Sequence, residues 1–301
     1  MSKSKNLPRY ISAIAMILVI FPAFFLTRYA GEPGRYVGSV IYMFVAIWGV
    51  FEFLTALKFA KATSIITAIV AIVPFFILPF GPLKEIYRYD DQDFGINLKK
   101  LLTWVPFVYI LGISFLPMAY EYRKMKDSGK IFTRQMAITF SLLIVATFLK
   151  TLFITNTTNI ATVFFFIGIA IISDTMGFFG GMLFGKKWFN GKKLAPKISP
   201  KKTWAGFVVG FFFSFVFAIL LGYYGKIWSL IHVNQWVISV VMAFILSAIS
   251  PLGDLLFSAI KRQENIKDFS NLIPGHGGIF DRIDAMSLVT FISSIIFITF
   301  T

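Results

Sequence analysis

The chain has 301 residues, of which 57% are hydrophobic and only 14% charged, where soluble domains carry about 45–50% and about 25%; too little polar surface remains to coat a soluble globule. The absence of cysteine excludes a disulfide framework, a thiolate nucleophile and a cysteine zinc site, and His232 and His276 are too few for a polyhistidine metal centre. A net charge of +15 would suggest nucleic acid in a soluble protein but marks cytoplasmic loops in a membrane protein, so we expect an integral membrane protein with no nucleic-acid partner.

A spanning helix needs about 20 mostly apolar residues. Nine segments meet that need: Tyr10–Leu26, Val37–Leu57, Thr63–Phe80, Leu101–Tyr120, Met136–Phe153, Ile160–Gly181, Trp204–Tyr224, Gln235–Phe257 and Ala285–Phe300. They predict an all-α polytopic membrane protein with about nine transmembrane helices. Lys3, Lys5 and Arg9 precede the first segment and no small-x-small cleavage site follows it, so it reads as an uncleaved anchor. Counted over alternating loops, lysines and arginines divide 21 to 7, and Lys150 lies inside a span. That bias predicts a cytoplasmic N-terminus and a C-terminus outside, and the expected location is the inner membrane of the cell. Unusual polar residues gather in the later spans. The expected organisation is a packing half over residues 1–135 and a catalytic half over 136–301, with dense cytoplasmic loops at 183–203 and 258–284.

Carboxylates inside a membrane are costly and point to function. Glu52, Asp174 and Asp254 fall within spans, each toward the cytoplasmic end. The bland alternative is that Glu52 and Asp254 snorkel or pair with a lysine, and it weighs more for Glu52. Asp281 and Asp284 stand three residues apart, on one helical face, and could hold one cation together. Asp254, Ser258 and Lys261, at i, i+4 and i+7, also line one face.

Pro274-Gly275-His276-Gly277-Gly278 cannot be helix interior, and its glycines would let backbone N–H groups approach a phosphate. Lys261, Arg262, Lys267 and Arg282 beside Asp268, Asp281 and Asp284 have the chemistry of a metal–nucleotide site, with bases for phosphate oxygens and acids for Mg²⁺. The earlier loop brings two prolines, Lys201 and Lys202 to the start of the seventh span, and a helix N-terminus beside lysines binds anions. Positive-inside charge with no ligand explains those lysines as well. Gly180-x4-Gly185-Lys186-Lys187 imitates a nucleotide P-loop, but Lys187 holds the Ser/Thr position and a membrane helix, not a strand, precedes it. Gly177-x3-Gly181, Gly181-x3-Gly185 and Gly206-x3-Gly210 read as helix-packing steps.

Ser258 through Asp284 resembles the C-terminal motif of the phosphatidate cytidylyltransferases (CDP-diacylglycerol synthases) at every specified position: Ser-x-apolar-Lys-Arg-x4-Lys-Asp-x-small-x2-apolar-Pro-x-His-Gly-Gly-apolar-x-Asp-Arg-apolar-Asp. Ser173-Asp174-Thr175, Gly181, Gly185, Lys197 to Trp204 and Gly253-Asp254 are similar to the family too. Before Ser173 the likeness is only that of hydrophobic spans. Two positions depart from it: Phe257 stands where the family commonly has Glu, and Ala205 where it usually has Glu or Gln. The stretch from Lys186 to Leu194 also looks a few residues longer than usual.

The resemblance implies transfer of CMP from CTP to phosphatidic acid, giving CDP-diacylglycerol and pyrophosphate with Mg²⁺, and leaves room for a second cation. It implies catalytic roles for Asp254, Lys261, Asp281 and Asp284, with the three acids as metal ligands. Substrate contacts would come from Asp174, Ser199, Lys201, Lys202, Ser258, Arg262, Lys267, His276, Gly277, Gly278 and Arg282. The partners are then CTP, phosphatidic acid and membrane lipids, with a homo-oligomer left open. The rival readings are a cation-coupled transporter using Asp174 and Asp254, and a cytidylyltransferase or kinase acting on a different membrane lipid.

Overall fold

The computed structural model describes residues 7–78, 104–121, 131–229, 231–275 and 277–300. Seven of its helices are long and apolar enough to cross a membrane, and the chain is an all-α polytopic membrane protein. The described part of each of the nine apolar segments falls on a helix or a helical pair, with Lys61–Ile77 and Trp104–Tyr120 as the two shorter ones; residues 79–80 and 101–103, at the ends of two segments, lie outside the described residues. Contacts divide the chain into two compact units, residues 1–158 with 268–283, and residues 159–267 with 284–301.

The first unit holds α1 (Leu7–Tyr29), α2 (Gly31–Ala56), α3 (Lys61–Ile77), α4 (Trp104–Ile113), α5 (Leu116–Glu121) and α6 (Ile131–Thr158). The segment read as Leu101–Tyr120 is broken at Ser114-Phe115. Pro117 sits in the first turn of α5, where its missing N–H costs nothing. The core helix is α6, buried over 83% of its most apolar stretch.

Polar groups in an apolar medium must find partners inside the protein, and those of α6 do. Lys150 Nζ donates to the carbonyls of Phe75 (2.9 Å) and Leu78, closing the C-terminal end of α3, and lies 5.1 Å from the centre of the Phe75 ring. Asn156 Nδ2 donates to the Phe24 carbonyl and to Tyr42 Oη. Arg28 donates to the Thr157 carbonyl at 2.8 Å.

The second unit holds α7 (Ile160–Phe184), β1 (Lys193–Ala195), β2 (Ser199–Thr203), α8 (Trp204–Tyr224), α9 (Gln235–Gln263) and most of α10 (Phe280–Phe300). Its helices pack as the small-residue steps predict. A Cβ at Gly206 would meet the Gly177 carbonyl oxygen at 2.4 Å, and one at Gly210 the Ser173 oxygen at 2.5 Å. Only glycine allows α8 this close to α7, next to Asp174. Likewise α9 meets α10 at Gly253, where a Cβ would lie 3.2 Å from the Asp284 and Ala285 carbonyl oxygens.

The stretch 183–203, expected as loop, instead folds into a short 3₁₀ turn (Phe189–Gly191) and an antiparallel hairpin pairing Lys193 with Thr203 and Ala195 with Ser199. Thr203 ends the hairpin and starts α8, its Oγ1 accepting the Gly206 N–H at 3.1 Å, the side-chain cap that β-region Thr supplies at a helix start.

Candidate active site

In the second unit three elements converge on a row of alternating charge. From β2, Lys202 reaches Asp174 on α7 at 3.7 Å and makes a close ion pair with Asp254 on α9. Ser258, one turn beyond Asp254, donates to it at 3.3 Å, as the i, i+4 spacing predicts. Lys261, next on that face, pairs with Asp284 of α10 at 3.7 Å. The close crossing at Gly253 sets Asp254 and Asp284 at the same helix contact.

These charges differ in their access to water. Lys261 is buried, Lys202, Asp254 and Asp284 are half-buried, and Asp174 is exposed. Buried charge needs a partner, and Lys261 has one. Asp174 marks the exposed end of the row.

Other expected residues lie around this row. Lys201 is exposed while Lys202 is half-buried, since neighbouring strand residues face opposite ways. Ser199 opens β2. Arg262 is exposed, its Nε donating weakly to the Ile198 carbonyl (3.4 Å) and its Nη1 to that of Ile266 (3.2 Å), so it links the end of α9 to the hairpin turn. Lys267 is exposed at the end of its segment.

In the first unit, the described residues between 268 and 279 form a tight loop that leads into α10. Ile273 N–H donates to the Gly277 carbonyl at 2.7 Å, and Gly277 has φ +81°, a backbone that favours glycine. Asp281 is buried, and its Oδ2 accepts N–H groups from Phe269 (2.9 Å) and Gly278 (3.0 Å). Arg282 is exposed, and His276 lies outside the described residues. From α2, Glu52 Oε1 accepts Ser270 Oγ–H (2.8 Å) and Trp48 Nε1–H (3.1 Å), and its Oε2 accepts Phe280 N–H (3.1 Å). The sequence marked Glu52 only as an intramembrane carboxylate; two of its partners, Ser270 and Phe280, lie more than 200 residues away, beyond any local spacing.

Among the described residues no three Asp, Glu, His or Cys side chains gather closely enough to enclose a metal ion. Mg²⁺ seldom requires such a cage, because one or two carboxylates with substrate phosphates and water commonly complete its shell. Asp174 and Asp254 are hard oxygen donors that already hold a cation, the Lys202 ammonium, between them. The donor chemistry of the row fits Mg²⁺.

A family model described as the cytidylyltransferase family matches residues 7–300. The chain belongs to the cytidylyltransferase family. It is 40% identical over 124 residues to a phosphatidate cytidylyltransferase of Rickettsia conorii, covering 40% of this chain and 50% of that one. It is 38% identical over 115 residues to one of Haemophilus influenzae, covering 38% of each. With phosphatidate cytidylyltransferase 4, chloroplastic, of Arabidopsis thaliana it shares 40% over 126 residues, 42% of this chain and 29% of that one. The chain spans about half the length, or less, of the curated relatives it matches. Phe257 and Ala205, the two positions that depart from the resemblance, are both buried, where an apolar side chain needs no hydrogen-bond partner.

Proposed function

We propose that this chain is a CTP:phosphatidate cytidylyltransferase of phospholipid biosynthesis. The observation that carries the reading is the row Asp174–Lys202–Asp254 with Lys261–Asp284, in a chain of the cytidylyltransferase family. An oxygen of the phosphatidate phosphate attacks the α-phosphorus of CTP. A new phosphorus–oxygen bond forms, the bond to the β-phosphate breaks, and pyrophosphate leaves with that electron pair. The attacking oxygen already carries negative charge near neutral pH, so no strong general base is needed.

The work of the chain is then to position two anionic phosphates and lower their repulsion. Lys201 and Lys202 contact the CTP phosphates beside the α8 N-terminus. Lys261, Arg262, Lys267 and Arg282 hold the remaining phosphate charge. Ser199, Ser258, His276, Gly277 and Gly278 supply hydrogen bonds, and Asp174 orients Lys202. Of the three acids that the resemblance names, Asp254 and Asp284 of the charge row would hold Mg²⁺, with room for a second cation, while Asp281 accepts the loop N–H groups. When bound, the metal supplies charge neutralisation on the phosphate oxygens.

The site faces the cytoplasm of the inner membrane in this reading, which rests on the 21-to-7 division of basic residues. A cysteine placed at Lys192 should therefore resist a membrane-impermeant maleimide applied to intact cells and react in inverted vesicles. Labelling only from outside would overturn the orientation. For the activity, detergent-purified protein with radiolabelled CTP, phosphatidate and Mg²⁺ should form CDP-diacylglycerol. Product formed only with another lipid acceptor would favour a related lipid cytidylyltransferase or kinase. Absence of any lipid product, with cation flux in liposomes, would favour the transporter.

A further inference from the structure

We propose that Glu52 is the positioning residue of the signature loop: from α2, its carboxylate fixes the two ends of the 270–280 segment in place for substrate. The inference rests on the proposed function, because that reading assigns Lys267, His276, Gly277, Gly278 and Arg282 to the substrate.

A carboxylate only accepts hydrogen bonds, and Glu52 is 3% exposed, so water cannot serve it. All three of its partners are donors, and two of them bracket the loop. Ser270 Oγ–H holds the beginning, and Phe280 N–H holds the end. The Phe280 N–H belongs to the first turn of α10, where backbone donors have no partner inside the helix and negative charge is favoured. Trp48 Nε1–H, one turn before Glu52, orients the carboxylate.

Packing fixes the same place. Phe53, next to Glu52, has its ring centre 5.4 Å from that of Phe269 and 5.0 Å from that of Phe280, and the latter two rings are 4.8 Å apart. The second glycine of the His-Gly-Gly run is explained as well. A Cβ at Gly278 would lie 2.4 Å from Glu52 Oε2 and 2.6 Å from Ser270 Oγ, so any larger residue would push the carboxylate and the hydroxyl out of this arrangement. Ser12 of α1 adds a hydrogen bond to the Pro274 carbonyl at 2.9 Å.

Spectroscopy separates positioning from general stability. The chain has no cysteine, so single nitroxide labels can be placed at Asn271→Cys in the loop and, as a control, at Lys192→Cys. Both positions are exposed. In the full chain in detergent, Glu52→Gln puts an amide N–H₂ against a donor. The label at 271 should become mobile while the label at 192 stays unchanged. CDP-lipid turnover should fall about 10-fold or more, the scale of one lost charge-assisted hydrogen bond. Ser270→Ala, a smaller change outside the helices, should give the same loop signature with a turnover loss of about 3-fold. It keeps the test decisive if the Glu52 variant cannot be purified. An unchanged label at 271 in Glu52→Gln or Ser270→Ala overturns the proposal. Mobility rising at both labels also overturns it, since Glu52 would then be holding up the fold at large. Wild-type protein that makes no CDP-lipid, with label 271 responding as expected, would defeat the proposed function while the loop assignment stands.

Discussion

The two units treat charge in opposite ways. In the first, the buried charges Lys150, Asp281 and Glu52 are met by neutral groups: Lys150 by carbonyls at the end of α3, Asp281 by two loop N–H groups, and Glu52 by the Phe280 N–H, the Ser270 hydroxyl and the Trp48 indole. In the second, charged side chains satisfy one another, Lys202 between Asp174 and Asp254, and Lys261 with Asp284. Backbone partners cannot move away without unfolding, whereas a side-chain pair can exchange its partner for a ligand. The first arrangement sets shape, and the second stores charge for use. The proposed activity needs both, because a loose charge row would collapse on itself and a rigid one could not receive a substrate.

Substitutions can break that contrast. The largest effect is expected at Asp254→Asn, which keeps size and removes charge. Turnover should fall by at least about 10²-fold, as for a lost electrostatic stabiliser, while the melting temperature in detergent barely changes, because Lys202 retains Asp174. Asp281→Asn should lower turnover on a similar scale but also lower the melting temperature, since its oxygen closes the loop on two N–H groups and such charged hydrogen bonds contribute about 1.5–3 kcal/mol. If both variants lose activity with equal stability, the contrast fails.

Next in size, Lys202→Gln should raise the CTP requirement about 10-fold, the scale of one charged phosphate contact. Lys186→Gln and Lys192→Gln, at exposed positions, should be nearly silent in the same assay. Equal behaviour of all three lysines would mean that positive-inside charge alone accounts for the loop. Lys150→Met should act the other way round, lowering stability by about 1–3 kcal/mol through two abandoned carbonyls and leaving the CTP requirement unchanged. Asp268→Asn, exposed and at the edge of its segment, should cost least.

The spans were legible in the sequence because a bilayer demands long apolar runs, and no other arrangement of such runs fits this composition. The hairpin before α8 was not, since three to five residues such as Ser199-Pro-Lys-Lys-Thr203 carry no apolar alternation to mark a strand. Within the site, spacing correctly put Asp254, Ser258 and Lys261 on one face of α9. Helical spacing reports a shared face, but the partner across it comes from another element. Hence Lys261 with Asp284, and Lys202 between two acids, emerged only in three dimensions. The same holds for Asp281 and Asp284, three residues apart: one oxygen of Asp281 turns to loop N–H groups and Asp284 to a lysine. Glu52 stands furthest from prediction, because nothing local joins residue 52 to residues 270 and 280.

Binding of CTP, separated from turnover, tests most directly whether the second unit's charge row receives the nucleotide. A ligand that binds only the folded protein raises its melting temperature as its concentration exceeds Kd. Detergent-purified wild-type protein, titrated with CTP and Mg²⁺ without lipid, should show a rising melting temperature. Lys150→Met should show the same rise from a lower start, and Lys202→Gln should need about 10-fold more CTP for an equal rise. A rise in Lys202→Gln equal to that of wild type at the same CTP concentration would contradict the account.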